Sequence, residues 1–403
     1  MTTSPRTTHG SVLLVTPRWT RDGGVGAHVQ VSAAALAERG VNVGVVAAKV
    51  DADDEVPAGV TIHHAPSLFD SRASIQTRLA GAVPAEGEVV HLHQVDDPKL
   101  VGALGAHSPV VVSAHGYTAC TAGMYYFKPG QECTRAHGAE CIPNFLARGC
   151  AHTRHKKTLA RKFINATRGR DALRGADLAV SYSSAVDRHL ANNGLARRAI
   201  VPYFPTMHAV QGSGHESRRR VVFAGRVVEP KGVGVLIEAA REVEAEFVLC
   251  GDGRELETMR ALAERLGLRD RVRFTGWLDA PGLARELAEA SVVTMPSLWP
   301  EPFGLVGIEA FAAARPAVAS ATGGIGDWLV HGSSGLAVAP GDVGELARAL
   351  RELLADPGRQ AQMGLAGKAT VAAKFTPERH VQTLLEAYAS ASSHWQTTRS
   401  TRR

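Results

Sequence analysis

The sequence has no hydrophobic run long enough to cross a membrane. No uninterrupted apolar stretch reaches the ~18–20 residues that a spanning helix needs. Residues 1–10 are polar and lead directly into the short apolar segment 12–16, so the hydrophobic core of a secretory signal peptide is missing as well. We therefore expect a cytoplasmic protein.

The composition also lacks the extremes that mark other protein classes. Hydrophobic residues make up 45% of the 403 residues and charged residues 21%. These values are typical of a soluble globular protein and exclude a disordered chain or a disulfide-rich miniprotein. At roughly 100–200 residues per domain, the length predicts two domains.

The positive charge is not spread evenly along the sequence. Residues 1–200 hold 22 Lys and Arg against 16 Asp and Glu, whereas residues 201–403 hold 23 of each, so the whole net charge of +6 lies in the first half. The segment 148–174, the basic segment, carries nine basic residues and one acid. It predicts either a solvated helix or a surface for an anionic acceptor or for anionic lipid at the inner membrane face. Nucleic acid is not expected, because few aromatic residues interleave the charges and no nucleic-acid-binding motif is present.

Short apolar runs alternate with helical patterns along the chain, and the alternation restarts after residue 200. The predicted strands are 11–16, 41–47, 89–93, 110–114 and 178–181, then 220–224, 247–250, 272–275, 291–295 and 317–320. Continuous apolar strands joined by helices indicate parallel sheets covered on both faces. The predicted fold class is therefore α/β, with two doubly wound Rossmann-like domains facing across a cleft in which ligands bind.

The domain boundaries follow from this alternation. Residues 1–203 are predicted to form the N-terminal domain, with a cysteine-containing insertion at 116–155, and residues 204–375 the C-terminal domain. A C-terminal helix at 376–392 is expected to pack back on the N-terminal domain. The polar tail 393–403 is expected to be frayed.

Two glycine-containing loops follow predicted strands and precede helices. The first, DGGVG at 22–26, lets the backbone approach a phosphate at a helix N-terminus. It is not a complete G-x-G-x-x-G, so a plain tight turn remains an alternative. In the second, GRVVEPKG at 225–232, Arg226 and Lys231 can converge on one anion such as a diphosphate. The alternative there is two solvated surface cations.

A third motif, EPFGL at 301–305, precedes a helix that carries Glu309. Glu301 can accept hydrogen bonds from sugar hydroxyls, and Glu309 is set deeper, where a ribose diol could meet it. The free N–H groups at the start of this helix point at the same space. The alternative is that both acids only complement the helix dipole.

The order of these motifs resembles a known family. The glycine loop, GRVVEPKG, CGDGREL, VRFTGWL, EPFGLVGIE and SGLAVAPGD are similar to the retaining nucleotide-sugar glycosyltransferases of family 4, which have the GT-B fold. The likeness covers about residues 11–390. The donor-binding residues that it implies are Gly24, Arg226, Lys231, Phe303, Gly304, Leu305 and Glu309.

The resemblance also implies roles. Arg226 and Lys231 would bind the donor diphosphate, and Glu309 would bind the ribose. Glu301 would hold the donor sugar, and His115, at a strand end in SAHG, matches the family histidine that lies against that sugar; these two are the predicted catalytic residues. The resemblance implies retention of the anomeric configuration by same-face attack, and no carboxylate nucleophile lies on the family pattern. It also implies that no cofactor is required for catalysis.

Two departures concern acidic residues. Asp327 closes the loop GGIGD at 323–327, where the family usually has Glu, so its contact with the donor is left open. The sequence DAD at 51–53 resembles a metal-binding acid pair, but it lies in a polar loop outside the expected cleft. We interpret it as a solvated turn and expect no catalytic metal.

Four cysteines lie close together in the insertion and lack any C-x-x-C spacing. Cys120, Cys133, Cys141 and Cys150 could bind a structural zinc or similar centre, form disulfides or a redox pair, or stay as free thiols. The fifth, Cys250, ends a strand and is expected in the core. Because the insertion follows His115, we expect it to overhang the acceptor side of the cleft and to influence acceptor choice.

Three functions were weighed on these grounds. The leading prediction is transfer of a sugar from a nucleotide diphosphate sugar, UDP-linked first and GDP-mannose second, to an unidentified hydroxyl acceptor. The alternatives are an epimerase or hydrolase of the same fold acting on a nucleotide sugar, and a non-catalytic sugar-nucleotide binding protein. The presence of both acids together with Arg226 and Lys231 disfavours the last.

Overall fold

Each half of the chain forms a parallel β-sheet in this computed structural model. The structure describes residues 10–20, 24–51, 56–79, 88–120, 132–147, 150, 155–207 and 219–402. The first two residues of the predicted glycine loop, 22–23, and residues 52–53 of the acid pair lie outside these ranges.

Within the described residues, the first sheet contains seven strands and the second contains six. The strands are β1 (Ser11–Trp19), β2 (Asn42–Val50), β3 (Val60–His64), β4 (Val89–His93), β5 (Val110–Ala114), β6 (Leu178–Ser181), β7 (Arg198–Ile200), β8 (Arg220–Ala224), β9 (Glu246–Cys250), β10 (Val272–Gly276), β11 (Val292–Met295), β12 (Ala317–Ser320) and β13 (Gly335–Val338).

The helices lie between and after these strands. They are α1 (Gly24–Glu38), α2 (Ile75–Leu79), α3 (Pro98–Gly105), α4 (Cys141–Ala147), α5 (Lys156–Gly175), α6 (Ser184–Asn192), α7 (Val233–Ala239), α8 (Leu256–Arg265), α9 (Ala280–Ala288), α10 (Leu305–Ala312), α11 (Val343–Leu354), α12 (Pro357–Lys374) and α13 (Pro377–Arg402). Within the described ranges, no helix is both long and apolar enough to span a bilayer.

Both sheets have the same strand order. The first runs β3-β2-β1-β4-β5-β6-β7 and the second β10-β9-β8-β11-β12-β13. In each, the order reverses between the first strand and the fourth, and the pairs are parallel. This doubly wound order places a crevice beyond the carboxyl ends of the strands at the reversal point. The predicted fold class is confirmed.

The sheets are buried on both faces, which explains the continuous apolar strands. In β1, Val12 and Leu14 pack into one core while Leu13 and Val15 pack into another. Successive side chains of a strand point to opposite faces, so alternate residues must reach separate cores. A parallel sheet with helices on both faces is the outcome.

The C-terminal helix differs from the expectation at its end. The structure continues α13 to Arg402, so the prediction of a frayed tail after residue 392 is wrong. Trp395 explains the difference, because it is buried and its Nε1 donates to the Gly105 carbonyl at 2.8 Å. Tyr388 anchors the same helix to the N-terminal domain, with its hydroxyl 2.8 Å from Nδ1 of His91.

The chain crosses between the domains twice, at the linker 201–207 and again just before α13. His380, in the first turns of α13, donates from Nδ1 to the Pro202 carbonyl at 2.7 Å. The two crossings are therefore joined by a hydrogen bond, and α13 belongs structurally to the N-terminal domain.

Candidate active site

The predicted donor-binding residues lie at the reversal points of the two sheets. Gly24 begins the helix after β1, while Arg226 and Lys231 follow β8. Glu301 follows β11, the neighbour of β8 in the sheet. The topology thus brings together residues that are far apart in sequence, at the place where a doubly wound sheet binds its ligand.

Loops of the two domains are in contact across the cleft. Leu305 Cδ1 would lie 3.3 Å from a Cβ placed on Gly24, and Pro302 Cγ would lie 3.7 Å from one on Gly116. The Tyr117 hydroxyl donates to the peptide carbonyl of Glu301 at 3.4 Å. The loops after β1 and β5 in one domain therefore face the loop after β11 in the other.

A glycine allows the two C-terminal loops to approach each other. Gly232 has a φ of +69°, and a Cβ there would lie 1.8 Å from the Pro296 carbonyl oxygen. The Leu298 amide donates to the Pro230 carbonyl at 2.9 Å and fixes the loops together. Only glycine fits such a contact without a shift of the backbone, and the approach puts Lys231 beside the loop that carries Glu301.

Glu301 is buried and fully engaged on one oxygen. Its side chain is 3% exposed, and Oε1 accepts from Lys231 Nζ at 2.7 Å. Ser297 Oγ donates to the same oxygen at 2.5 Å and Trp299 Nε1 at 3.2 Å. A buried carboxylate needs such partners, so this residue is held in one orientation.

The two predicted cations differ in their surroundings. Lys231 is ion-paired with Glu301 and lies 5.8 Å from the centre of the Trp299 ring. Arg226 is exposed, and it makes no ion pair within the described ranges. Arg226 is therefore available to an anion that enters the cleft, while Lys231 is already fixed at its floor.

Glu309 faces the linker. Its Oε1 accepts from the Thr206 hydroxyl at 2.8 Å, and the residue is buried. Burial raises the pKa of Glu309, and the hydrogen bonds from Thr206 partly oppose that rise. A carboxylate that already accepts a hydroxyl can accept one from a diol as well.

The residues between the two acids form the start of α10. Gly304 precedes the helix with a φ of +87°, a conformation that favours glycine. Phe303 is buried, and its carbonyl accepts from Trp328 Nε1 at 2.8 Å. The first N–H groups of α10 have no partner within the helix, and Leu305 is the residue that meets Gly24.

His115 belongs to a buried cluster, here called the histidine–tyrosine cluster. Its Nδ1 lies 2.9 Å from the Tyr203 hydroxyl and its Nε2 lies 3.0 Å from Nδ1 of His93. Tyr182 stacks on the ring, with centroids 4.7 Å apart and planes 12° apart. The cluster comprises His28, His91, His93, His115, His380, Tyr182, Tyr203 and Tyr388.

The cluster's histidines are neutral at physiological pH. Burial lowers the pKa of His91 and of His115 to about 3 and that of His380 to about 4, with repulsion among the imidazoles adding to the effect on the first two. The pKa values of His28 and His93 also lie well below the ordinary value, for the same reasons. His115 thus acts as a neutral hydrogen-bonding group and not as a cation.

Asp327 contacts the opposite domain. Its carboxylate accepts from the Ser184 amide at 2.8 Å and from the Ser184 hydroxyl at 2.5 Å. Ser184 is the first residue of α6, so Asp327 supplies negative charge and an acceptor to a helix N-terminus. Asp327, whose contact with the donor the sequence left open, therefore links the two domains by hydrogen bonds. We call this contact the Asp327–Ser184 clasp.

Replacing Asp327 with alanine should loosen this clasp. The Ser184 amide loses a charge-assisted hydrogen bond of about 1.5–3 kcal/mol, so we expect its hydrogen exchange to accelerate by roughly 10- to 100-fold. Asp342→Ala is the matched control, because Asp342 caps α11 inside the C-terminal domain. Equal exchange of the Ser184 amide in both variants would contradict the clasp.

The clustered cysteines divide between two places. Cys141 and Cys150 pack around Phe145, Cys133 packs on the N-terminal core, and Cys120 packs against both. No three His, Cys, Asp or Glu side chains in the described part of the chain are arranged to hold a metal ion. The structural zinc stays a prediction, and parts of the insertion (121–131, 148–149 and 151–154) lie outside the described residues.

The basic segment forms most of α5. Arg168 lies 3.7 Å from the Asp97 carboxylate, and Arg174 donates to the Asn193 carbonyl at 2.7 Å. The exposed cations near the start of α5 are Lys156, Lys157 and Arg161. Positions 148 and 154 lie outside the described residues, and contact with an anionic membrane stays a prediction.

Sequence reasoning missed several residues of the site. Ser297 and Trp299 share the loop after β11 with Glu301, and their donor groups next to a buried acid were a usable signal. Tyr117 and Thr206 had no such signal, because their partners are 184 and 103 residues away.

Comparison with known proteins agrees with this geometry. Residues 209–370 match the family described as Glycosyl transferases group 1. The chain is 36% identical over 169 residues to the GDP-mannose-dependent alpha-(1-6)-phosphatidylinositol monomannoside mannosyltransferase of Mycobacterium tuberculosis, which covers 39% of this chain and 44% of that protein. The chain spans less than half the length of the first curated relatives it matches.

Solved structures resemble the chain over nearly its whole length. Sucrose-phosphate synthase of Thermosynechococcus elongatus superposes with a TM-score of 0.72 at 20% identity, covering 94% of this chain and 98% of that one. HepE of Anabaena, solved with UDP and glucose, gives a TM-score of 0.70 at 19% identity, covering 95% and 100%. At these identities the likeness shows the fold. Residues 209–370 thus match the Glycosyl transferases group 1 model, and the described residues have the two-domain GT-B fold of these solved structures.

Proposed function

We propose that the protein is a retaining glycosyltransferase that moves a sugar from a nucleotide diphosphate sugar to a hydroxyl acceptor. The observation that carries the proposal is the Lys231–Glu301 pair at the reversal point of the second sheet, with Arg226 exposed beside it and Gly24 across the cleft. Two cations suit a diphosphate, and a fixed carboxylate suits sugar hydroxyls.

We infer a separate role for each carboxylate oxygen of Glu301 from its hydrogen bonds. All three hydrogen bonds from Lys231, Ser297 and Trp299 end on Oε1. Oε2 is then the oxygen that accepts a hydroxyl of the donor sugar. The Lys231 ammonium has three donors, so it holds Glu301 and a phosphate oxygen at the same time.

The proposed reaction breaks the bond between the anomeric carbon and the diphosphate oxygen. The acceptor oxygen forms the new bond on the same face of the sugar, and its proton passes to the departing phosphate. Arg226, Lys231 and the N–H groups at the start of α10 stabilise the charge that develops on the leaving group. His115 is neutral, and Tyr203 and His93 hold it through both ring nitrogens, so it would lie against the sugar as a ring of fixed orientation.

The donor is proposed to be a UDP-sugar first and GDP-mannose second. The UDP and glucose bound by HepE support the first, and the name of the mycobacterial mannosyltransferase supports the second. The acceptor is a hydroxyl compound that the insertion helps to select. We also propose a cytoplasmic location.

Nucleotide binding provides the test. UDP, GDP, UDP-glucose and GDP-mannose are each added to the full chain. The free energy of unfolding is then measured by denaturant titration. A true ligand at 100 times its Kd raises the free energy of unfolding by about 2.7 kcal/mol. Glu309→Ala should weaken nucleotide binding by roughly 10- to 100-fold, since it removes charge-assisted hydrogen bonds of about 1.5–3 kcal/mol. Glu352→Ala, on the outer helix α11, is the matched control.

Two results would contradict the proposal. If none of the four compounds stabilises the protein, the donor site is not a nucleotide site. If the donor is hydrolysed at full rate without any acceptor, the hydrolase alternative replaces transfer. The anomeric configuration of the product, measured by proton NMR, tests retention, and an inverted product would contradict it.

A further inference from the structure

Tyr203 lies on the linker 201–207 and contacts a residue of the candidate site on each domain. Its hydroxyl lies 2.9 Å from Nδ1 of His115, on the N-terminal domain. Its ring centre lies 5.0 Å from that of Phe303, in the loop after β11 of the C-terminal domain. The same loop carries Glu301, which is proposed to hold the donor sugar. One side chain of the linker thus borders both His115 and the loop of Glu301.

His115 is the most accessible member of the histidine–tyrosine cluster. The other seven members are buried, whereas His115 is partly exposed. The next residue, Gly116, faces Pro302 across the cleft. His115 is therefore the cluster member that a sugar in the cleft can reach.

The hydrogen bonds of Tyr203 and His115 have one consistent direction. Tyr203 is buried, and His115 is the sole hydrogen-bond partner of its hydroxyl among the described residues. Burial raises the pKa of Tyr203 well above its ordinary value, so the hydroxyl keeps its proton and needs an acceptor. Nδ1 of His115 is that acceptor, which leaves the ring proton on Nε2, 3.0 Å from Nδ1 of His93. In the reverse direction the hydroxyl proton has no acceptor in the described ranges, and an unpaired buried hydroxyl is disfavoured by roughly 5- to 150-fold.

Ring packing holds the Tyr203 hydroxyl at a fixed point. The Tyr203 ring stacks on Tyr182, with centroids 4.4 Å apart and planes 18° apart, and His28 meets it edge-on at 4.5 Å. Tyr182 also stacks on His115. A hydrogen bond from a packed ring keeps its partner in one orientation, as a supporting residue must do for a group that meets a substrate.

We propose that Tyr203 is a positioning residue for the sugar transfer: its hydroxyl donates to His115 and holds that imidazole in one orientation and one tautomer beside the donor sugar. This inference rests on the proposed function and adds a residue of the linker to it. Because the Tyr203 ring also meets the loop of Glu301, a shift of the linker disturbs the arrangement of His115 and Glu301 together.

The variant Tyr203→Phe removes the hydroxyl and keeps the ring. Tyr388→Phe is the matched control, because both tyrosines are 5% exposed and the Tyr388 hydroxyl lies 2.8 Å from Nδ1 of a different histidine, His91. Each variant loses one buried tyrosine–histidine hydrogen bond, so a general loss of stability affects both alike. Only Tyr203→Phe removes the partner of Nδ1 of His115.

The first measurement is NMR of the full chain with ¹⁵N-labelled histidine. The ¹⁵N chemical shift distinguishes a protonated ring nitrogen from an unprotonated one, and a His115→Gln sample identifies the His115 signals. In the native protein, Nε2 of His115 should carry the proton and Nδ1 none. Tyr203→Phe should move the Nδ1 signal of His115, and Tyr388→Phe should leave it in place. A proton on Nδ1 in the native protein, or an unmoved signal in Tyr203→Phe, would overturn the assigned hydrogen bond.

The second measurement compares the binding of a nucleotide sugar with that of its nucleotide. The Kd values of UDP-glucose and UDP, and of GDP-mannose and GDP, are determined by calorimetry. Since His115 is proposed to lie against the sugar, Tyr203→Phe should weaken binding of the nucleotide sugar by about fivefold, the size of one neutral hydrogen bond. Binding of the nucleotide alone should stay unchanged, and Tyr388→Phe should preserve the ratio of the two Kd values. An equal loss for nucleotide and nucleotide sugar would show a purely structural role and overturn the proposal.

The native protein separates this inference from the proposed function. If it binds no nucleotide and no nucleotide sugar, the proposed function is overturned, and the role of Tyr203 in it falls as well. If it binds them and Tyr203→Phe behaves like Tyr388→Phe, only the role of Tyr203 is overturned.

Discussion

Replacing Lys231 with alanine should lower the rate of the proposed sugar transfer by about 10²–10³-fold, because the charge that develops on the proposed diphosphate leaving group loses a fixed donor. The same change leaves the Glu301 carboxylate buried without its counter-ion. Breaking a buried pair from one side destabilises a protein by up to about 3–5 kcal/mol. A fall in activity alone would therefore mix two effects.

A double variant separates them. Lys231→Met with Glu301→Gln removes both charges, so the free energy of unfolding should return towards that of the native protein while the transfer rate stays low. Lys368→Ala, an exposed lysine on α12, is the matched control and should change neither. Recovery of the rate in the double variant would show that the pair serves the fold and not the reaction.

Lowering the pH from 7 to 5 destabilises the protein by about 2 kcal/mol for each of His91, His115 and His380 in the histidine–tyrosine cluster. In the unfolded chain these residues bind protons below about pH 6.5, whereas in the fold His91 and His115 do so only near pH 3 and His380 near pH 4. The unfolded state therefore binds more protons, and stability falls as the pH drops from about 6.5 towards those values. The three together cost about 5–6 kcal/mol by pH 5, comparable with the total stability of many domains.

Urea unfolding at pH 7, 6 and 5 measures this loss. His380→Gln removes one titrating ring and keeps a donor for the Pro202 carbonyl, so it should reduce the slope between pH 6 and 5 by about 1 kcal/mol per pH unit. His107→Gln, at an exposed site, should keep the native slope. Glu309 acts in the opposite direction, since its raised pKa adds stability at lower pH. A stability that does not change between pH 7 and 5 would contradict the prediction.

The sequence predicted the buried strands well and the edge strands poorly. Strands β4, β5, β6, β8 and β12 have the predicted bounds, because every residue in them is buried and most of their residues are apolar. The edge strands β3 and β7 were missed, since most of their residues are partly exposed and carry no continuous apolar signal.

Helix α12 was missed for a different reason. Its sequence contains Gly364 and Gly367, which lower helix propensity. In the fold, a Cβ on Gly364 would lie 2.0 Å from the Ala314 carbonyl oxygen, and one on Gly367 would lie 2.6 Å from the Phe311 ring. These glycines let α12 approach α10 closely, a tertiary requirement that a local pattern does not reveal.

The site shows the same division between residue type and pairing. The family resemblance implied that Lys231 and Glu301 belong to one site, but not that they pair directly across 70 residues. Asp327 was a local departure whose partner, Ser184, lies 143 residues away on the other domain. Pairings of this kind depend on how the sheets stack, and one sequence does not contain that geometry.

The hydrogen bond between His380 and Pro202 has a mechanical consequence. It joins the two points where the chain passes between the domains. The two linkers therefore act as one hinge and do not move independently. Motion of the domains about such a hinge is a rotation, and the atoms farthest from the hinge are displaced most. The contacts of Gly24 with Leu305 and of Gly116 with Pro302 mark where the two domains would separate. A substrate would then enter when one domain rotates away from the other. The buried rings around the His380–Pro202 hydrogen bond would make the domains return to the same relative orientation after each turnover.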